Sequence, residues 1–312
     1  MIGLHDIIPL IQKYRELSKL QNTYVLALPI LINKNDDRIH TTYNQSIAAT
    51  GRLSSTDPNL QNIPTRTEEG REIRAAFIAK DGYKLLSLDY SQIELRLAAH
   101  LSQDKKMMAA FKNAEDIHTA TAAAINGIET QDVTKNMRYA AKAINFGILY
   151  GQGPHGLSQG AGISYAEAKN FIDRYLQVYP GIKKMMDKFI TDAREKGYAE
   201  TLFKRRRPLP ELQADLPQMR RAAERMAINM PIQGTAADMI KQAMLNIASY
   251  LSGQEQDIRL LLQVHDELIF EVKADKLEKY LEPIKNLMVN ALPLSVPIIV
   301  EASIGDNWGE LK

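Results

Sequence analysis

The sequence predicts an α+β fold, and three observations carry the prediction. Apolar residues recur with period two or as short runs near residues 84–88, 259–272 and 298–304. Between the first of these and the rest, residues 104–230 follow a helical pattern almost throughout. The strand-like segments lie near opposite ends of the chain, so they must pair across a long helical insertion. No repeat, low-complexity tract or flexible linker separates the parts, which predicts lobes packed against one another.

Taken in order, residues 6–20 read as a helix and 24–28 as extended chain. Residues 38–63 alternate between turn signals (Asn44-Gln45, Gly51, Asp57-Pro58-Asn59), as short strands and loops do. Lys84-Leu85-Leu86-Ser87-Leu88 reads as a buried strand ending in Asp89, with helix following over 92–101. Within the helical stretch Asp116 is placed as an N-cap, Ser164-x-x-Glu167 has the capping-box pattern, and Pro180 opens a helix that Gly197 closes. After Pro231 a helix is predicted over 235–251, stopping at Gly253. Strands at 259–264 and 268–272 flank a tight His265-Asp266-Glu267 turn. A helix over 275–290 and a strand over 298–304 complete the chain.

At 312 residues and 35.1 kDa, two or three lobes are expected. The absence of cysteine excludes a disulfide scaffold, a thiol nucleophile and Cys-ligated zinc or iron–sulfur sites. No apolar run approaches the ~20 residues of a membrane span, and the first residues lack a signal peptide's apolar stretch. A soluble, cytoplasmic protein without membrane partners is expected. The net charge of +2 announces no partner, but its distribution is uneven. Residues 183–225 hold twelve Lys/Arg against seven Asp/Glu, including Lys204-Arg205-Arg206-Arg207, whereas 266–312 holds nine Asp/Glu against five Lys/Arg. That pattern suits a surface meeting phosphates on one side, although a solvated charge run has the same composition.

Two carboxylates stand out by position. Asp89 falls where a strand gives way to a helix, and Asp266 at the tip of a hairpin. Both places hold a side chain rigidly at a sheet edge. Side by side, two such groups repel unless divalent cations with hard oxygen ligands lie between them. As isolated residues they read equally well as turn and cap residues. On a helix over 137–151, with Arg138 at the origin, Lys142, Phe146 and Tyr150 follow at about 40°, 80° and 120°. Met137, Ala140, Ala141, Ile144 and Ile148 form the opposite, apolar side. Two cations followed by two aromatics on one stripe suit a ligand with a polyanionic end and a flat ring. His118, just inside a predicted helix N-terminus, is placed where anions are favoured, though a lone histidine is more often structural.

Three segments resemble the motifs of the family A DNA polymerases, in that family's order and spacing. They are Asp89-Tyr90-Ser91-Gln92-Ile93-Glu94-Leu95-Arg96, Arg138-x-x-x-Lys142-x-x-x-Phe146-Gly147-x-x-Tyr150-Gly151, and Gln263-Val264-His265-Asp266-Glu267. The flanks at Thr50–Ser55, Asn59–Pro64 and Asn229–Asp238 are similar as well. The resemblance implies a right-hand polymerase fold with an antiparallel-sheet palm (33–94 and 231–312), a helical fingers insertion (95–230) and a remnant of the thumb base (1–32).

It also implies roles. Asp89, Asp266 and the backbone carbonyl of Tyr90 would bind two Mg²⁺ ions, with Mn²⁺ as a substitute. Glu267, the acidic neighbour, and Lys142 join Asp89 and Asp266 as catalytic residues. His118, Arg138 and Lys142 would hold a dNTP's triphosphate, while Phe146, Tyr150 and Gln92 shape the pocket for its base. Glu94 matches a steric gate against ribose. Phe at 146, where the family has Phe or Tyr, goes with rejection of dideoxynucleotides. Arg52, Asn62, Arg225, Asn229, Gln233 and His265 match residues on primer–template DNA.

The match begins near the thumb's base. The expectation is therefore no proofreading exonuclease, weak duplex grip and distributive synthesis, with either a longer parent protein or a partner supplying the grip. A monomer in the bacterial cytoplasm, associated with the nucleoid, is expected. Two other readings share these residues. A single-subunit RNA polymerase also uses two aspartates and an Arg/Lys helix, but needs room for a 2′-hydroxyl that Glu94 would deny. A primer–template binding module inactive in isolation is the other.

Overall fold

The computed structural model describes residues 5–65 and 67–311; the ends of the 1–32 and 231–312 segments, and Arg66 within 33–94, lie outside the described residues. Helix α1 (Ile7–Leu20) opens the chain as expected, but the backbone stays helical beyond it. A π-helical turn covers Gln21–Val25 and a 3₁₀ turn Leu28–Leu31, so the expected extended segment at 24–28 is overturned. Spacing explains the difference. Leu20, Tyr24 and Leu28 recur every four residues, and all three are buried in one apolar cluster.

Two short antiparallel pairs follow, β1 (Ile32–Asn33) with β2 (Arg38–Ile39) and β3 (Thr42–Asn44) with β4 (Ser54–Thr56). A 3₁₀ turn at Leu60–Asn62 and helix α2 (Glu68–Ala75) lead to β5 (Tyr83–Tyr90), which runs one residue past Asp89.

The helical insertion comprises α3 (Ile93–Ser102), α4 (Lys105–Lys112), α5 (Ile117–Asn126), α6 (Lys135–Leu149), α7 (Pro154–Ala161), α8 (Tyr165–Val178), α9 (Pro180–Lys196) and, after a hairpin, α10 (Pro217–Asn229). The predicted caps form. The Asp116 carboxylate accepts the Thr119 N–H at 2.7 Å, and Ser164 and Glu167 cap one another reciprocally. The hairpin, β6 (Tyr198–Glu200) with β7 (Arg206–Pro208), corrects the nearly all-helical reading of 104–230. It forms because Gly197 ends α9 with φ at 78° and because contacts then bind the two strands together. Glu200 pairs with Arg206 at 2.9 Å and with Lys204 at 3.2 Å, and the Arg206 guanidinium lies 4.6 Å over the Tyr198 ring.

A π-helical turn at Met230–Gly234 joins α10 to α11 (Thr235–Leu251). The chain closes with β8 (Ile258–Val264), β9 (Glu267–Lys273), α12 (Leu277–Val289) and β10 (Val300–Gly305). The sheet order is β10-β5-β9-β8, antiparallel throughout, so the first and last parts of the chain do pair across the insertion. Alternation divides its faces. Leu86, Leu88, Tyr90, Leu268, Phe270 and Val272 point into the large core shared with the helices. Leu85 and Ile269 pack on the other face with Trp308, and the register puts Ser87, Asp89, Glu267 and Glu271 on that face too. No helix among the described residues is long and apolar enough to cross a membrane.

Candidate active site

The site begins where the two central strands end. Asp89 pairs in register with Glu267 on β9 and with Glu301 on β10. The β8–β9 turn is made of His265, at φ 55°, and Asp266. The Tyr90 N–H donates to the Asp266 carbonyl at 3.1 Å, so the strand carrying Asp89 is tied to the turn carrying Asp266. Both aspartates are half-buried. A ladder of amides steadies the turn from behind. The Gln263 side chain donates to the His265 carbonyl at 2.5 Å, and Gln61 donates to the Gln263 carbonyl and side-chain oxygen at 3.1 Å each. The Tyr43 hydroxyl donates to the Gln263 carbonyl and accepts its N–H. Glu267 is buried beneath, its carboxylate accepting the Ser87 hydroxyl; burial lowers the Arg74 pKa, and the Glu267 charge works against that.

Two hard carboxylates fixed at adjoining strand and turn ends are the donor type that Mg²⁺ selects, with positions left for water and substrate oxygens. Among the described residues no group of three or more His, Asp or Glu gathers into a closed metal cage.

Glu94 connects the sheet layer to the helices. It lies in the first turn of α3, after Gln92 at φ 53°, and is buried. One carboxylate oxygen accepts from Arg52 and the other from the Tyr150 hydroxyl, both at 2.6 Å. Burial, and then the Glu94 charge, push the Tyr150 hydroxyl's pKa well up, so it remains a donor at neutral pH. Arg52 follows Gly51, whose φ of 82° favours glycine. A Cβ there would also stand 2.6 Å from the Arg205 Nε.

Helix α6 presents the predicted stripe. Arg138 and Lys142 are exposed, and Phe146 and Tyr150 are half-buried. Its buried side holds Ala141, Ile144 and Ile148 as predicted, but is turned toward Asn145 and Leu149, leaving Met137 and Ala140 half-buried. Arg138 is engaged by Asp116, with Nη2 2.7 Å and Nε 3.3 Å from the carboxylate oxygens. Burial opposes that carboxylate's charge, but the hydrogen bonds from Arg138 and Thr119 prevail and hold its pKa down to about 2.

His118 is buried, and burial lowers its pKa to about 4; Lys142 and Arg138 push the same way against Asp116. The buried Asn145 amide lies 3.0 Å from His118 Nδ1. An amide N–H donating to Nδ1 assigns the ring proton to Nε2, making His118 a neutral donor. Its ring lies 5.9 Å from Phe146, which lies 6.2 Å from Tyr150.

The residues expected on DNA are more scattered. Arg52 and His265 line one cleft with Asp266. Arg225 is exposed and packs over Gly151, where a Cβ would stand 2.9 Å from its Cγ. Asn229 and Gln233 are half-buried and 3.5 Å apart, one helical turn from each other. Asn62 is exposed, its carbonyl accepting the Tyr24 hydroxyl at 2.8 Å.

Sequence reasoning missed several contributors. Asn145, Ser87, Gln61 and Gln263 sit inside or beside quoted motifs, but nothing in a linear pattern says which neighbour each meets. Arg205 hides in the basic tetrad; its Nε lies 2.6 Å from Asp238, whose other oxygen accepts from Thr201 at 2.8 Å.

The profile described as DNA polymerase family A matches residues 2–310. The chain belongs to DNA polymerase family A. It is similar to DNA polymerase I of Pseudomonas aeruginosa, 52% identical over 96% of this chain and 33% of that protein. It is also similar to the thermostable DNA polymerase I of Thermus aquaticus, 50% identical over 99% of this chain and 37% of that protein. The chain thus spans about a third of the length of these curated relatives. Among solved structures, the POL domain of Pol1 from M. smegmatis, in complex with DNA primer-template and dNTP, superposes with a TM-score of 0.94 at 43% identity. That match covers 99% of this chain and 54% of the other. As a family A chain it has the α+β architecture predicted from its sequence.

Proposed function

We propose that this chain is a DNA-directed DNA polymerase module that extends a primer 3′-hydroxyl with deoxynucleotides. The observation that carries the reading is the meeting of Asp89 and Asp266 at one end of the sheet, with Glu94 linking that layer to the cation-bearing helix α6. Residues 33–94 and 231–312 act as palm, 95–230 as fingers and 1–32 as the base of a thumb.

In the reaction the 3′-oxygen attacks the α-phosphorus, the bond from that phosphorus to the α–β bridging oxygen breaks, and pyrophosphate leaves. Nearly all the catalysis required is positioning and charge neutralisation. Asp89, Asp266 and the Tyr90 carbonyl hold divalent cations, two Mg²⁺ ions in this proposal, with Mn²⁺ as a substitute. When bound, these supply charge neutralisation and a lowered pKa for the primer hydroxyl.

The protein's own groups do the rest. Arg138 and Lys142 offer cations to the triphosphate, and His118 offers a neutral Nε2–H. Lys142, on the exposed stripe, stands nearest in chemistry to a proton donor for the departing pyrophosphate. Phe146 and Tyr150 offer ring faces to the base pair, with Gln92 at the foot of the pocket. Glu94, fixed between Arg52 and Tyr150, fills the place of a 2′-hydroxyl and so selects deoxynucleotides. Glu267 supports Asp89 and Asp266 from beneath through Ser87. Arg52, Asn62, Arg225, Asn229, Gln233 and His265 hold primer–template with little sequence preference.

The test is extension of a labelled primer–template with Mg²⁺ at low salt, one dNTP at a time. Addition of only the complementary nucleotide, lost in Asp266→Ala, supports the proposal. Binding without addition would leave a DNA-binding module in its place.

A further inference from the structure

A narrow cleft beside the β8–β9 turn has three apolar residues in its lining, together with Arg52, Gln61, Lys241, Gln263, His265 and Asp266. Of these, Lys241 lies outside the motifs and their flanks. It sits on α11, three residues after Asp238, and is half-buried.

The lysine's surroundings are unfavourable to its own charge. Burial, and then the Arg205 guanidinium, lower its pKa, and only Asp238 is drawn the other way. Both oxygens of Asp238 are already taken, by Arg205 at 2.6 Å and Thr201 at 2.8 Å. The neighbouring groups are committed as well: Arg52 to Glu94, and Gln61 and Gln263 to each other and to the turn. Beside it lie the Arg205 guanidinium and amides already paired, with the Asp266 carboxylate at the turn end of the cleft; an ammonium group that has given up part of its hydration there gains when an anion enters. The cleft opens beside Asp266, where a primer end must lie for the proposed reaction. A flexible point charge of this kind suits a phosphate oxygen of a nucleic-acid backbone.

We propose that Lys241 binds a phosphodiester of the primer strand in this cleft, holding the primer end against the Asp266 turn. The inference rests on the polymerase reading above.

The experiment uses the full chain and a fluorescent primer–template, with binding measured from 50 to 200 mM KCl for the unaltered chain, Lys241→Ala and Lys241→Arg. One lost phosphate contact reduces the slope of log K against log salt by about 0.9. Lys241→Ala is expected to show that reduction with weaker binding at low salt, and Lys241→Arg to restore both. Neutral methylphosphonate linkages placed singly along each strand then locate the contact. One primer position is expected to weaken the unaltered chain yet have no further effect on Lys241→Ala.

An unchanged salt slope, or coupling on the template strand instead, overturns the assignment. So does a Lys241→Arg variant that folds with an unaltered melting temperature but binds like Lys241→Ala. If the unaltered chain extends primers while the slope is unchanged, the Lys241 assignment alone fails. If the unaltered chain neither binds nor extends primer–template, the polymerase reading fails and this inference with it.

Discussion

At the scale of single residues, Glu94 and His118 show how burial turns ordinary side chains into specific ones. Glu94 is a buried acidic side chain, tolerable because Arg52 and Tyr150 each donate to it. Removing one donor from a buried acceptor costs about 1–3 kcal/mol. Tyr150→Phe is therefore expected to lower the melting temperature by several degrees and to raise the KM for dNTP by about tenfold, as the α6 face loses its tie to the sheet. Scanning fluorimetry and single-turnover kinetics would check this; unchanged values would mean the bond does not persist in solution. Glu94→Ala is expected to admit ribonucleotides, read by extension with rNTPs alone, and a variant still strict for dNTPs would remove Glu94 as the gate. For His118 the sign follows from its lowered pKa. Above pH ~6.5 both folded and unfolded forms are neutral there, and the folded state loses nothing. Between ~6.5 and about 4 the unfolded chain takes up a proton that the folded chain refuses, so stability falls with pH, by up to roughly 3 kcal/mol. Urea unfolding at pH 7 and 4.5 is expected to show a smaller acid loss in His118→Gln than in the unaltered chain. Equal losses would contradict a buried neutral histidine.

At the scale of elements, the clearest device is the ion pair between the N-cap of α5 and the first turn of α6. Asp116 caps Thr119 and at the same time occupies Arg138. In the proposed reaction an incoming triphosphate would share that arginine or displace the aspartate. Asparagine caps as well as aspartate does but carries no charge. Both partners are well exposed, so the pair is worth only about 0.2–1 kcal/mol. Asp116→Asn is accordingly expected to lower the KM for dNTP by up to roughly fivefold without unfolding α5, measurable by steady-state incorporation with circular dichroism alongside. A raised KM would show that Asp116 helps to aim Arg138 rather than to hold it back. The elements also show what a linear pattern could and could not tell. The cap residues, the strand-to-helix switch at Asp89 and the turn at Asp266 are local features, and their chemistry is written in adjacent residues. The β6–β7 hairpin is decided by contacts across its strands, and the helical path of residues 21–31 by a four-residue spacing that acts only once distant residues close over it. Tyr24 is drawn in because a cluster with Leu60 and Trp308 receives it, and Arg206 becomes a strand residue because Glu200 lies opposite and the Tyr198 ring, on the same facing strand, meets its guanidinium. The stripe on α6 was legible, but not the engagement of Arg138 by Asp116 or of Tyr150 by Glu94, since both are contacts between segments far apart in sequence.

At the scale of the whole molecule, the sheet and the helical layer share one continuous apolar core, and the polar site lies where they meet. One face of the sheet is given to that core. The other carries Ser87, Asp89, Glu267 and Glu271 along its central strands, with Glu271 closed by Arg38 at 2.8 Å and Glu267 by Ser87. Asp89 and Asp266 stand at the end of this layer, where the proposed reaction would take place. In this account those two groups act on the rate of phosphoryl transfer rather than on the grip on DNA. The direct measurement is rapid-quench addition of one complementary nucleotide to a pre-bound primer–template with Mg²⁺, for the unaltered chain, Asp89→Asn and Asp266→Asn, with the DNA Kd of each determined separately. The account predicts that each variant loses at least about 10³-fold in rate, on the scale by which enzymes depend on electrostatic stabilisation, while the Kd moves no more than about threefold. A rate within about tenfold of the unaltered chain in either variant, or a loss explained by weakened DNA binding, would contradict it.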